Sequence, residues 1–155
     1  MKVQITLNGK LETAVIEPDT LLLDLLRQLG CYSVKRGCET SNCGLCTVWM
    51  DEKPVLSCSV LAARADGRQV TTLEGLQKEA EQFGQFMAAE GADQCGFCSP
   101  GLIMNVLAME RQADHMTDAE IREYLAGNLC RCTGYMAQMR AIEKYLNRDK
   151  EAPAE

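Results

Sequence analysis

Four cysteines in the first half of the chain, Cys38, Cys43, Cys46 and Cys58, restrict its fold more than any other feature. The first three follow the spacing C-x4-C-x2-C in one loop, and the fourth comes after a strand-like interval. That is the ligand pattern of a plant-type [2Fe–2S] cluster. Two irons bridged by two sulfides need four thiolates. A short loop can wrap three of them round the cluster, and a separate element must bring the fourth. The same loop can aim backbone N–H groups at the sulfurs, which helps set a reduction potential. Lys35, Arg36 and Gly37 lead into the loop, and Gly44 sits between two ligand positions, where a side chain would crowd the cluster. The alternative is a structural zinc site, also built from four cysteines, although zinc favours two compact CxxC-like knuckles.

The residues before and after this loop read as a small sheet. Val3, Ile5 and Leu7 alternate with Gln4 and Thr6, Asn8-Gly9 is a hairpin turn signal, and Leu11–Ile16 supplies the return strand. Pro18-Asp19-Thr20 opens a helix over Leu21–Leu29 that stops at Gly30, with a leucine stripe suited to packing on a sheet. Thr47–Met50 and Pro54–Ser57 flank a turn at Asp51-Glu52-Lys53, Cys58–Ala65 reads as a short helix, and Gln69–Thr72 as a closing strand. The order is that of a ββαββ, β-grasp arrangement.

The hydrophobic period changes near Leu73-Glu74-Gly75. Leu76, Ala80, Phe83 and Met87 recur at helical spacing, and Pro100 opens a helix through Leu102, Ile103, Val106 and Leu107. Thr117-Asp-Ala-Glu120 is a capping box for a third helix ending at Gly127, and Met136, Met139, Ile142 and Leu146 mark a fourth. Short links among four helices indicate a small bundle. The expected division is therefore 1–75 for the sheet domain, 76–150 for the helical domain, and a disordered tail over 151–155. Each half is near the lower size limit for a stable core, and a ligated cluster in each would offset that deficit.

The helical half holds a second set, Cys95-Gly-Phe-Cys98 and Cys130-Arg-Cys132, both at helix boundaries. CxxC alone is equally a redox dithiol or half a zinc site, and the βαβ context of a thioredoxin is absent. C-x-C is tight for a zinc knuckle but can present two thiolates to a flat two-iron core. The stretches Gln94-Cys-Gly-Phe-Cys-Ser-Pro-Gly101 and Gly127-Asn-Leu-Cys-Arg-Cys-Thr-Gly-Tyr135, behind the plant-type loop, closely resemble the iron–sulfur subunit of the xanthine dehydrogenase (molybdenum hydroxylase) family. The resemblance covers about residues 1–147. It implies an α+β chain: a β-grasp, ferredoxin-like [2Fe–2S] domain followed by a four-helix domain carrying a second [2Fe–2S] cluster. The implied ligands are Cys38, Cys43, Cys46 and Cys58 for one cluster, and Cys95, Cys98, Cys130 and Cys132 for the other. It implies further that Gln94 and Cys132 lie against the pterin of a molybdenum cofactor held by a large partner subunit, where water supplies the oxygen for hydroxylating a carbon centre. Electrons would leave one at a time through the two clusters, commonly to an FAD-binding subunit. Ser41 stands where the family usually has glycine, Leu45 where a smaller residue is common, and Ser99 for a frequent threonine.

With Lys+Arg 16 against Asp+Glu 22, the net charge of −6 argues against nucleic acid as a partner. No apolar run reaches the roughly 20 residues of a membrane span, and Met1-Lys2-Val3 enters strand sequence without a signal-peptide pattern. Nine cysteines then read as metal ligands in a cytoplasmic protein. The ninth, Cys31, reads as a buried packing thiol, the single His115 as a solvated loop residue, and the eight methionines as packing. Arg131, between two ligands, could offset cluster charge or face a partner or solvent. No substrate-pocket motif, nucleotide fingerprint or acid–base constellation is present, so the chain reads as an electron-transfer subunit of a larger oxidoreductase. A free-standing [2Fe–2S] carrier, a redox sensor and a zinc module are the alternatives.

Overall fold

The computed structural model describes residues 1–112 and 116–148; the readings of His115 and of the tail from Lys150 lie outside them. Strand β1 (Lys2–Leu7) pairs antiparallel with β2 (Lys10–Val15) across Asn8-Gly9. Both turn residues have positive φ, 50° and 81°, as a two-residue hairpin requires. Helix α1 (Leu22–Gln28) follows, then β3 (Thr47–Met50), β4 (Lys53–Leu56) and β5 (Gln69–Thr71). The sheet order is β2-β1-β5-β3-β4, with β1 and β5 parallel. This is the β-grasp, ferredoxin-like sheet, and it is followed by four helices: α2 (Gln77–Ala89), α3 (Ser99–Gln112), α4 (Asp118–Tyr124) and α5 (Met136–Asn147).

The β1 alternation holds: Val3, Ile5 and Leu7 are buried, and Leu22, Leu23, Leu25 and Leu26 of α1 pack with them. Burying each such side chain contributes about 1.5–3 kcal/mol. Thr117 and Glu120 form the expected capping box at α4. Two local readings are corrected. The helix read over Leu21–Leu29 spans Leu22–Gln28, with Leu21 at its N-cap and no side-chain cap, while Thr20 Oγ1 accepts from Glu17 N in the turn before it. Cys58–Ala65 is not one helix but two 3-10 turns, Ser57–Ser59 and Ala62–Ala65. The interruption has a cause: Leu22 N donates to Val60 O and Leu61 bridges Leu21, which pulls residues 60–61 into extended backbone.

The hydrophobic interior falls into two clusters. One joins the sheet to α1; the other gathers Phe83, Met87, Leu102, Met104, Leu107, Ile121, Ile142 and Tyr145 from all four later helices. Trp49 of β3 belongs to the second, 1% exposed, with its indole N–H donating to Met104 O of α3 at 2.9 Å. Strand β3 is therefore covered on both faces, by α1's cluster through Val48 and by the helices through Trp49.

Candidate metal centres

The first cysteine loop runs from α1 into β3. Arg36 anchors its start to α1 through Asp24 at 2.9 Å, and Lys35 N donates to Leu45 O. Thr47 N and Oγ1 both donate to Gly44 O, closing the loop onto β3. The 3-10 turn after β4 brings Cys58, held because Ser57 N and Oγ both donate to Cys46 O. Backbone N–H groups of Asn42 and Thr40 point at the Cys38 sulfur and draw its thiol down to about 6. Burial pushes the Cys43 thiol up, and takes Cys46 up to about 11.

Glycine matters at two positions here. A Cβ at Gly37 would stand 3.3 Å from Cys43 Sγ and 2.7 Å from Leu45 Cδ2, so Gly37 keeps the sulfur clear. A Cβ at Gly44 would overlap Gly127 O and stand 2.6 Å from Asn128 Nδ2, so Gly44 allows the close approach of the helical half. Ser41 has φ 56°, the left-handed backbone that glycine adopts without strain.

The second set meets at one end of the helices. Cys95 and Cys98 lie in the link from α2 to α3, and Cys130 and Cys132 in the link from α4 to α5. Cys132 Sγ and Cys95 Sγ are 3.6 Å apart, both exposed. Thr133 Oγ1 and N donate to Cys130 Sγ at 3.2 and 3.5 Å, and Cys130 N donates to the Tyr135 hydroxyl. Burial pushes the Cys130 thiol up, but Thr133's donors outweigh it and leave it lowered. Burial and the neighbouring Cys130 sulfur raise Cys98 to about 11, and Gln138 Nε2, on a buried side chain, reaches its sulfur at 3.9 Å. Thr133, Tyr135 and Gln138 were not singled out from the sequence; the hydroxyls in Cys130-Arg-Cys-Thr-Gly-Tyr135 were the available signal, whereas Gln138 carries none. Gln94 is exposed beside Cys95, and no hydrogen bond within the described residues holds its amide. Arg131 is exposed, and Cys31 is a buried thiol of the sheet cluster, raised by burial.

The donor chemistry fits two-iron clusters. All eight donors are sulfurs, and each lies beside another: Cys38 by Cys43, Cys46 by Cys58, Cys95 by Cys132, Cys98 by Cys130, with Cys46 also interacting with Cys43 and Cys132 with Cys130. Two thiolates on each of two irons is what a [2Fe–2S] core asks for. Buried thiols held high, such as Cys46 and Cys98, become thiolates only when a cation compensates them, and N–H donors at the other sulfurs favour the same charge.

The two loops touch. Leu129 N, next to Cys130, donates to Cys43 O at 2.9 Å, and Lys35 Nζ donates to Phe97 O at 3.2 Å while lying 4.9 Å over the Phe97 ring. Gly101 of α3 packs against Gly44 so closely that a Cβ would overlap Gly44 O.

Comparison with known proteins finds relatives that are iron–sulfur proteins. Residues 5–81 match the family described as 2Fe-2S iron-sulfur cluster binding domain, and residues 72–143 the one described as [2Fe-2S] binding domain. The chain is 40% identical over 149 residues to the nicotinate dehydrogenase small FeS subunit of Eubacterium barkeri, covering 94% of this chain and 95% of that one. It is 47% identical over 137 residues to the xanthine dehydrogenase iron-sulfur-binding subunit of Escherichia coli O157:H7, covering 86% of each. Among solved structures, quinoline 2-oxidoreductase from Pseudomonas putida 86 superposes with a TM-score of 0.87 at 34% identity, covering 99% of this chain and 98% of that chain. Aldehyde oxidoreductase from Desulfovibrio gigas gives 0.86 at 34% identity, where this chain covers 18% of the longer one. The chain belongs to the family of [2Fe–2S] small subunits of the molybdenum hydroxylases.

Proposed function

We propose that this chain is the electron-transfer subunit of a molybdenum hydroxylase. In this reading it takes single electrons from a molybdopterin centre in a large partner and passes them on through two clusters. One observation carries the proposal. The exposed sulfurs of Cys95 and Cys132 belong to loops that also present Phe97, Leu129 and Tyr135 to solvent, with Met136 opening α5. A groove of about 220 Å³ beside them is lined by Leu102, Leu125, Leu129, Met136, Met139 and Ile142. Exposed apolar side chains grouped around a redox site mark a docking face.

When bound, the [2Fe–2S] clusters supply the one-electron chemistry, held by Cys38, Cys43, Cys46 and Cys58 in one half and Cys95, Cys98, Cys130 and Cys132 in the other. The polypeptide keeps the centres in register: the Leu129 N–H to Cys43 carbonyl bond joins a residue beside one ligand directly to another ligand. Gln94 offers a free amide that can both donate to and accept from a pterin edge, and Cys132 an exposed sulfur that can accept from one. Division of labour at residue 75, an FAD-binding subunit as acceptor and a cytoplasmic location belong to the same proposal. Among the described residues, no helix is long and apolar enough to cross a membrane. Substrate choice rests with the large subunit; the relatives named above carry the names of nicotinate, xanthine, quinoline and aldehyde enzymes.

The test is purification from the native host followed by iron analysis and electron paramagnetic resonance. The expected result is a complex with a molybdenum-containing chain whose substrate reduces both clusters. A chain that purifies alone and binds no molybdenum subunit would support the free-standing carrier or sensor instead.

A further inference from the structure

Two serine hydroxyls converge on one sulfur of the ferredoxin-like centre. Ser59 Oγ donates to Ser41 Oγ at 2.7 Å, and the two oxygens lie 3.6 and 3.8 Å from Cys58 Sγ, respectively. Ser41 comes from the cysteine loop and Ser59 from the 3-10 turn that carries Cys58. Both serines are exposed and Cys58 is partly so, and Ser41 keeps its place in spite of its left-handed backbone. Arg36, whose charge reaches Cys58, is engaged by Asp24 at 2.9 Å and Glu39 at 3.6 Å.

A thiolate that holds iron has no proton to give, so the hydroxyls must be the donors. Ser59 donates to Ser41, and Ser41 is then polarised to donate to the sulfur, each bond strengthening the next. Hydrogen bonds to ligand sulfurs favour the extra negative charge that arrives on reduction, and so raise the potential. We propose that Ser41 and Ser59 form a two-hydroxyl relay onto Cys58 that raises the reduction potential of the ferredoxin-like cluster relative to the helical-domain cluster. Neither serine is a ligand; both act through Cys58. The proposal rests on Cys58 holding iron, as in the function proposed above.

The experiment is a potentiometric titration of the full chain with both clusters loaded, each followed by its own paramagnetic signal. The variants are Ser41→Gly, which suits the left-handed backbone, Ser59→Ala, and the two combined. The double variant is expected to move the electron about fivefold towards the helical-domain cluster, which is about 40 mV at 59 mV per tenfold for one electron. Each single variant should shift less, because the surviving hydroxyl can turn to the sulfur. The helical-domain midpoint should not move. An unmoved ferredoxin-like midpoint, or an equal shift at both clusters, overturns the relay. Should the double variant fail to load iron, exchangeable-deuteron couplings of the reduced cluster in deuterated water decide. They should weaken from wild type to Ser59→Ala, and identical couplings overturn the proposal. Failure of the underlying ligand assignment looks different: wild type itself would lack the ferredoxin-like signal.

Discussion

Replacing Gly101 by alanine should pry the two cluster loops apart. An added Cβ would overlap the Gly44 carbonyl oxygen and stand 2.9 Å from Leu45 Cα and 3.1 Å from Gly44 C. All three obstructing atoms are backbone, so no rotamer change relieves them. Overpacking of this kind costs about 1–3 kcal/mol, and the rigid neighbours place it at the upper end. Alanine in a helix gains back at most about 1 kcal/mol over glycine. The net loss is about 2 kcal/mol, roughly thirtyfold in the closed arrangement. Gly84→Ala is the matched control, since it lies in α2 with nothing within 4 Å of the new Cβ, and it should stabilise by about 0.5–1 kcal/mol. The assay is denaturant unfolding of the loaded chain, with hydrogen exchange of the peptide containing Leu129, whose N–H donates to Cys43 O across the seam. Gly101→Ala should lower the midpoint and speed that exchange, and Gly84→Ala should do neither. If the two alanines behave alike, the packing account of the seam is wrong.

Other outcomes follow from the same geometry. The loaded chain should show two S = 1/2 signals of different shape; Cys31→Ser should leave both intact, because that thiol packs in the sheet cluster, whereas Cys43→Ser should abolish the ferredoxin-like one. Gln94→Ala in the assembled complex should keep both clusters, weaken retention of the molybdenum cofactor and slow substrate reduction of the helical-domain cluster about tenfold, the cost of one hydrogen bond; unchanged cofactor content and rate would remove Gln94 from the path. Glu74 accepts from Ser33 N, Ser33 Oγ and Thr72 Oγ1; burial raises its carboxyl, but these donors prevail and hold it below the usual range. A lowered folded value stabilises above the unfolded one and is lost as pH falls through the folded one. Glu74→Gln should therefore cost about 1 kcal/mol at pH 7, after allowing for solvent screening, and the two unfolding midpoints should converge below about pH 4.

Local chemistry made much of this structure legible in advance. Asn8-Gly9 fixed a hairpin, Thr117 and Glu120 fixed a helix start, and the cysteine spacings named both loops because ligand geometry restricts spacing. Contacts between residues far apart in the chain were not legible. Gly44 was read as clearing space for a cluster, and nothing local showed that it also clears space for Gly127 and Asn128, more than eighty positions on. The run Thr47-Val48-Trp49 was read only as a strand, although its lack of polar alternation is the mark of a strand buried on both faces. The Ser41–Ser59–Cys58 cluster depends on a loop and a turn meeting, which no local pattern records.

Trp49 has a consequence for how the molecule assembles. Its indole fills the helical interior but its backbone is laddered between β4 and β5, so the helices can close only against a strand that earlier residues have already put in place. A fragment of residues 1–75 would leave that ring in water. In N-to-C synthesis the sheet half emerges first, and Trp49 stays uncovered until α3 follows. The helical half therefore takes one wall of its interior, the Trp49 ring with its bond to Met104 O, from a strand of the sheet half.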